Sequence, residues 1–394
     1  MGCAIFMYST FILFTKELYM KRVILILLLF VSAGILMGAD YTKIDKRAET
    51  VPGNLRTAKD ITRYLTKGLN SPTDKVRAIY YWMAHAIRYD IAKMNSNETY
   101  TDPQQLVDEV LKTRKGVCAN YSALFQACCQ SVGIQSYVIE GYTRQNEKIV
   151  PIAHAWNAVY IDGRFYNIDV TWAAGYVRGK KYFQQFRDNY FMISPPDFIK
   201  THMPFDPVWQ FSNNPVTHKE FETDDFTSLK KQSNFNFVDS INTLSGLSSV
   251  EKSKRENLRI TKAGITNKMI REKVIQNQQS ITTEEYNTSA VNFNKGVIKY
   301  NEYIQYKNTQ FNKLAIKDDK ILELLSSARQ LFESAEESLS NLNPENTGLK
   351  NAIHSMGTSI KRMKISLDEE DAFMIKYIKT AKPLRLILFY KRIG

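Results

Sequence analysis

The dipeptide Asp162-Gly163 lies between two runs rich in β-forming residues, 154–161 and 164–169. Two adjacent residues that tolerate positive φ are the strongest short-range signal for a two-residue β-hairpin. Such a hairpin pairs Ile161 with Arg164 and, counting back, sets Trp156 opposite Asp169. His154 then lies two residues along the same strand face, diagonal to Asp169. Diagonal neighbours are roughly 7–8 Å apart at the backbone, so a His–Asp hydrogen bond is within reach once the side chains lean together.

Upstream, Gly116-Val117-Cys118-Ala119-Asn120-Tyr121-Ser122 opens a segment that reads as a helix. Leu124, Phe125, Ala127, Cys128, Cys129 and Val132 supply its apolar content, and Gly133 is a C-cap. Gly116 can turn the chain sharply at no steric cost. Cys118 falls in the first helical turn, where free amides and the positive dipole end favour a thiolate. Arg114 and Lys115 add positive charge. An isolated free Cys is usually a small buried hydrophobe. Two downstream partners shift that balance, because a thiol nucleophile needs a base and the base needs a group to hold its tautomer. Cys118, His154 and Asp169 are therefore the candidate catalytic residues, suited to acyl transfer through a thioester.

Other candidates read as structural. Cys128 and Cys129 lie about three turns beyond Cys118 and are expected in the helix core, with a disulfide to a partner chain left open. Trp156 and Trp172 are expected as cleft walls or core. His85 sits at helical spacing among apolar residues and is expected in the core or lining a groove. His202, His218 and His354 have no matching partners in sequence. There is no CxxC pair, no HExxH and no glycine-rich phosphate loop. No metal or cofactor is therefore expected.

These residues resemble the transglutaminase-like superfamily, the papain-type core shared by transglutaminases, bacterial transglutaminase-like proteins and the kyphoscoliosis-peptidase group. Four blocks carry the resemblance: 71–82 leading to Ile87-Arg88-Tyr89-Asp90; 115–125 around Cys118; Gly133-Ile134 through Gly141-Tyr142; and His154-Ala155-Trp156-Asn157 with Asn167-Ile168-Asp169-Val170-Thr171-Trp172. Together they span about 70–212. The resemblance implies an α+β fold, with the Cys on a helix packed against an antiparallel sheet bearing His and Asp. It also implies attack on a carboxamide or peptide carbonyl, resolved by water or by an amine. The family's Cys, His and Asp fall on Cys118, His154 and Asp169. The large animal transglutaminases bind calcium through added domains that this chain does not show, so calcium dependence is not carried over. The backbone N–H of Cys118 is a natural oxyanion donor.

The expected organisation is an N-terminal extension and signal peptide over 1–39, a transglutaminase-like domain over 40–212, a linker over 213–256 and a helical region over 257–394. Met20-Lys21-Arg22 followed by an apolar run through Val31 has the form of a secretory signal, so an exported protein is expected. Residues 1–19 then read as an upstream extension. After cleavage three cysteines remain, too few for a disulfide scaffold. From Ala290 to Leu342 apolar residues keep a heptad frame broken at Lys307 and Asp318, which points to a coiled coil or a long helical hairpin. A second apolar stripe runs from Leu349 to Leu367. The helical region could build a homo- or hetero-oligomer. The net charge of +13 is spread without an Arg/Lys block interleaved with aromatics, so nucleic-acid binding is not expected. The run 384–392 is apolar and basic, suited either to peripheral contact with an anionic membrane or to docking as a short terminal element.

The leading expectation is an exported cysteine enzyme acting on protein or peptide amides, hydrolytic in preference to cross-linking. The competing expectation is a catalytically idle transglutaminase-like module that binds a protein or cell-wall peptide, with the helical region as an assembly platform.

Overall fold

The computed structural model describes residues 40–94, 102–230, 235–311, 317–340, 342–344 and 346–390. The expected signal segment lies outside them, as does Leu314 of the expected seam. The chain divides into two compact units, one made of 1–138 with 156–193 and the other of 139–155 with 194–394.

The first unit begins with α1 (Thr42–Ala48), α2 (Ala58–Leu65) and α3 (Pro72–Ala86). Strand β1 (Arg88–Tyr89), α4 (Pro103–Thr113), β2 (Lys115–Gly116) and α5 (Cys118–Ser131) follow. The helix starts follow local chemistry. Thr57, Ser71 and Asp102 each accept a backbone N–H from the first turn, and Pro72 and Pro103 begin their helices where a missing N–H costs nothing. Strand β3 (Gln135–Gln145) and β4 (Lys148–Ile161), whose stretch 139–155 belongs to the second unit, lead through Asp162-Gly163 into β5 (Arg164–Ile168). Both turn residues have positive φ, 51° and 78°. The short α6 (Val170–Ala174) and the hairpin β6 (Gly175–Arg178) and β7 (Lys181–Gln184) complete this unit.

Its core gathers Ile79 and Met83 of α3, Leu124, Phe125 and Cys128 of α5, and Val159 and Ile168 of the hairpin. One buried cation stands in that core. Arg77 donates from Nε and Nη2 to the two oxygens of Asp45 at 2.8 and 2.7 Å, and also pairs with Asp188. Tyr41, Tyr80, Tyr81, Phe186 and Phe191 surround its guanidinium. Burial opposes its charge, but the two carboxylates raise its pKa above the usual arginine value.

The second unit holds α7 (Pro195–Phe198), β8 (His202–Pro204), α8 (His218–Glu222), α9 (Phe237–Leu244), α10 (Ser249–Ala263), α11 (Lys268–Asn308), α12 (Asp318–Ser340), α13 (Thr347–Lys379) and α14 (Ile387–Tyr390). Strand β8 pairs antiparallel with β3, setting His202 against Thr143, and the sheet order is β5-β4-β3-β8. The stretch 213–256, expected as a linker, carries α8, α9 and the start of α10, with His218 and Phe221 fully buried. Its polar composition hid single apolar anchors that tertiary packing uses.

The expected seam takes the helical-hairpin form, as two helices. α11 stops at Asn308 and α12 starts at Asp318, at the two breaks in the heptad frame. Ser289 donates to the carbonyl of Ala335 and Asn292 to Ser334, so residue numbers fall on α12 as they rise on α11. Ser289 also reaches Met356, and Tyr303 donates to Glu370, an equal advance on α13. The order is therefore up-down-up. Gly296 makes room for Phe332, since a Cβ there would lie 2.7 Å from its ring. The described part of the run 384–392 docks: Phe389 packs on Phe311, Phe373 and Tyr377, and Arg385 pairs with Asp318. No helix among the described residues is long and apolar enough to cross a membrane.

Candidate active site

Cys118 is the first residue of α5 and is partly exposed, unlike Cys128 and Cys129. Burial pushes the Cys128 thiol up to about 12 and holds the Cys129 thiol well above its usual range, so both are inert core, as expected.

Three contacts fix the start of this helix. The Asn120 side chain accepts the N–H of Val117 at 3.0 Å and donates to the Leu106 carbonyl and to Glu109, both at 3.2 Å. Asn120 is thereby a buried clamp between α4 and α5. Gly116 exists to make room for it, because a Cβ there would lie 2.5 Å from the Asn120 Cβ. The glycine is a matter of space, not the sharp turn expected from sequence. The segment leading to Cys118 is also pinned by parallel pairing of Lys115 and Gly116 with Arg88 and Tyr89.

Tyr89 reports on the surroundings. Burial raises its pKa, and so do the charges of Cys118 and then Asp169, which places all three residues within electrostatic reach of one another. Asp169 is completely buried and caps α6, its Oδ1 accepting the Trp172 N–H at 2.9 Å. Its own N–H donates to the Tyr190 carbonyl at 3.2 Å. One carboxylate oxygen is thus held by the cap.

The β4–β5 register is the one expected over its five pairs, from Ile161 with Arg164 to Asn157 with Ile168. The ladder stops one residue short of Trp156 and of Asp169, which caps the helix that follows. His154 lies two residues before Trp156 along the same continuous strand and is half-buried. Asn157 ties this strand to the catalytic helix: its Nδ2 donates to the Ser122 carbonyl at 3.0 Å and to the Tyr137 carbonyl at 3.2 Å. Trp156 is buried core. Trp172 makes an edge contact with Tyr190.

Sequence reasoning passed over His202. It is buried in β8, stacked on Phe198 at 3.9 Å, with its ring 5.9 Å from that of His154. Thr201 Oγ1 lies 2.8 Å from its Nδ1. Only the pairing of β8 with β3 reveals it; no local motif does. His218 is also buried, between the Tyr142 hydroxyl at Nδ1 and the Phe205 carbonyl at Nε2, both 3.1 Å. His85, expected in the core or a groove, is exposed and stacks on Tyr81 at 4.0 Å. The imidazole gains one aromatic face there without losing water.

A family model described as the transglutaminase-like superfamily matches residues 59–170. That segment carries a transglutaminase-like domain. The mouse kyphoscoliosis peptidase is 30% identical over 192 residues, 46% of this chain and 28% of its own length. Hillarin of Drosophila melanogaster is 25% identical over 211 residues, 46% of this chain and 24% of its own. The chain thus spans about a quarter of the length of these relatives. A solved TGase structure aligns with 46% of this chain and 42% of its own at 21% identity, with a TM-score of 0.24. The matched segment of the transglutaminase-like domain contains Cys118, His154 and Asp169.

Proposed function

We propose that the chain is a cysteine-dependent acyl-transfer enzyme acting on protein or peptide amides. The β4–β5 register carries the proposal, since the strand that bears His154 pairs with the strand that leads into Asp169. The electrostatic reach of Tyr89 to both Cys118 and Asp169 supports it from the helix side.

In this reading the Cys118 thiolate attacks the amide carbonyl carbon. The C=O π pair moves to oxygen, and the backbone N–H of Cys118, free of the helix ladder at its first position, faces the developing charge. Asp169 orients His154, whose imidazolium gives its proton to the departing amine as the C–N bond breaks. A thioester remains. His154 then takes a proton from water, the hydroxyl adds to the thioester carbonyl, and Cys118 leaves with the acid as the other product. The same intermediate meeting an amine would give a cross-link. Hydrolysis is the preferred outcome, because water abounds at an extracytoplasmic site and no amine-binding feature is visible among the described residues. The mouse relative is named a peptidase, which agrees with that preference. Export rests on the charged and apolar pattern of 20–34.

The test is the rate of iodoacetamide alkylation at Cys118 at neutral pH, read by peptide mapping in wild type and in His154→Ala. Labelling much faster than that of glutathione, and lost with His154, supports the enzyme. A rate equal to glutathione's and indifferent to His154 overturns it and favours the binding module. Incubation with casein and a fluorescent amine then separates hydrolysis from cross-linking.

A further inference from the structure

Beside the nucleophile the first unit has a second, strongly charged feature. A cavity of about 370 Å³ opens among Arg88, Tyr89, Asp90, Lys115, Lys180 and Lys181. The four cations come from three places in the fold: Arg88 from β1, Lys115 from β2, and Lys180 and Lys181 from the β6–β7 hairpin. All four are exposed, and none forms a salt bridge with another described residue. The single acid, Asp90, is already engaged: its Oδ1 accepts the Ala92 N–H at 3.1 Å. Four like charges around one concave space repel one another and leave the fold with nothing in return. A surface face that only had to stay hydrated would intersperse both signs.

The cavity also touches the candidate chemistry. Lys115 precedes Cys118 by three residues, and Tyr89 forms part of the wall. The ring of Tyr89 lies 6.1 Å from that of Tyr182, on the same hairpin.

We propose that this cavity is a substrate subsite for carboxylate side chains, so that the enzyme selects acidic stretches of peptide next to the amide it attacks. The inference rests on Cys118 being the nucleophile proposed above. Each lysine ammonium acts as a hydrated point charge on a flexible stem, and Arg88 can take a carboxylate in bidentate fashion. Recognition is therefore tolerant of exact position and sensitive to salt.

The test uses two N-iodoacetyl peptides of equal length, one carrying Gly-Glu-Glu-Gly and one Gly-Gln-Gln-Gly. In both, the Cys118 sulfur bonds to the methylene carbon and iodide leaves, so only the neighbouring side chains differ. The ratio of second-order rate constants at Cys118 is the readout. The Glu peptide is expected to react about tenfold faster than the Gln peptide at low ionic strength, with the advantage falling towards one near 0.5 M salt. In the Lys180→Glu, Lys181→Glu variant the ratio is expected to fall below one while the rate with neutral iodoacetamide stays unchanged. Those positions lie at an exposed hairpin tip, so the fold is kept. Equal rates for the two peptides in the wild type would overturn the subsite. The ratio is read whatever the absolute rate. Slow iodoacetamide labelling indifferent to His154 would count against the enzyme reading alone.

Discussion

The Asn157 side chain donates to the main-chain carbonyl of Ser122, 3.0 Å away across the interface of β4 with α5. It links the helix that starts at Cys118 to the strand that carries His154. A buried amide with two donors satisfies both that carbonyl and the Tyr137 carbonyl.

Replacing Asn157 therefore tests the alignment directly. Asn157→Ala should lower stability by about 1–3 kcal/mol, the usual cost of leaving buried acceptors without their donor. Asn157→Asp should be worse, because an ionised carboxylate would face two carbonyls with nothing to donate. Urea unfolding gives the stability, and the Cys118 alkylation rate shows whether the helix has shifted.

Gly116→Ala should disturb the site through contact alone. The added methyl meets Asn120 at its Cβ, the rigid base of the side chain, so the helix start must move. A loss of roughly 1–3 kcal/mol is expected for overpacking of this kind. The double variant Gly116→Ala, Asn120→Gly should lose less than the sum of the two single changes, because the second removes the Cβ that the first strikes. Strict additivity in thermal melts would show that Gly116 serves some other need.

Asp169 has two tasks that one pair of substitutions can separate. Asparagine caps helices about as well as aspartate, so Asp169→Asn should keep α6 within a few tenths of a kcal/mol. It removes the charge that stabilises a histidinium, and turnover should fall by roughly 10⁴-fold on the pattern of other triads. Asp169→Ala should lose the activity and also about 1 kcal/mol of stability. If Asp169→Asn keeps full activity, its side chain is a cap only.

The fold should weaken in mild acid at His218. Burial lowers its pKa from 6.5 to about 4, against the opposing pull of the Phe205 carbonyl and of Glu222. The folded state holds the neutral ring between the Tyr142 hydroxyl and the Phe205 carbonyl. Between those two values the unfolded chain binds the extra proton, so stability falls as pH drops from 6.5 to about 4 and is complete above 6.5. The loss is up to about 3 kcal/mol from this group. His218→Gln should start less stable at pH 7.5 and show a flatter decline over that window in thermal melts. An unchanged slope would mean that other groups set the acid limit.

Much of this was legible in the chain because it is local. Turn chemistry at Asp162-Gly163 fixes the register of β4 and β5, since a two-residue loop admits one pairing and the side-chain period is two. Apolar periodicity bounded by Cys118 and Gly133 fixes α5, and the polar breaks at Lys307 and Asp318 mark where a long seam folds back. Residues whose meaning is a neighbour far along the chain could not be read that way. Gly116 yields space to Asn120, Asn157 holds the Ser122 carbonyl, His202 comes beside His154, and Phe221 anchors a stretch that reads as a linker. Each of these depends on which surfaces meet after folding. Backbone conformation follows from residues a few positions apart, whereas a buried polar side chain is decided by whichever partner the packed core brings within 3 Å or so of it.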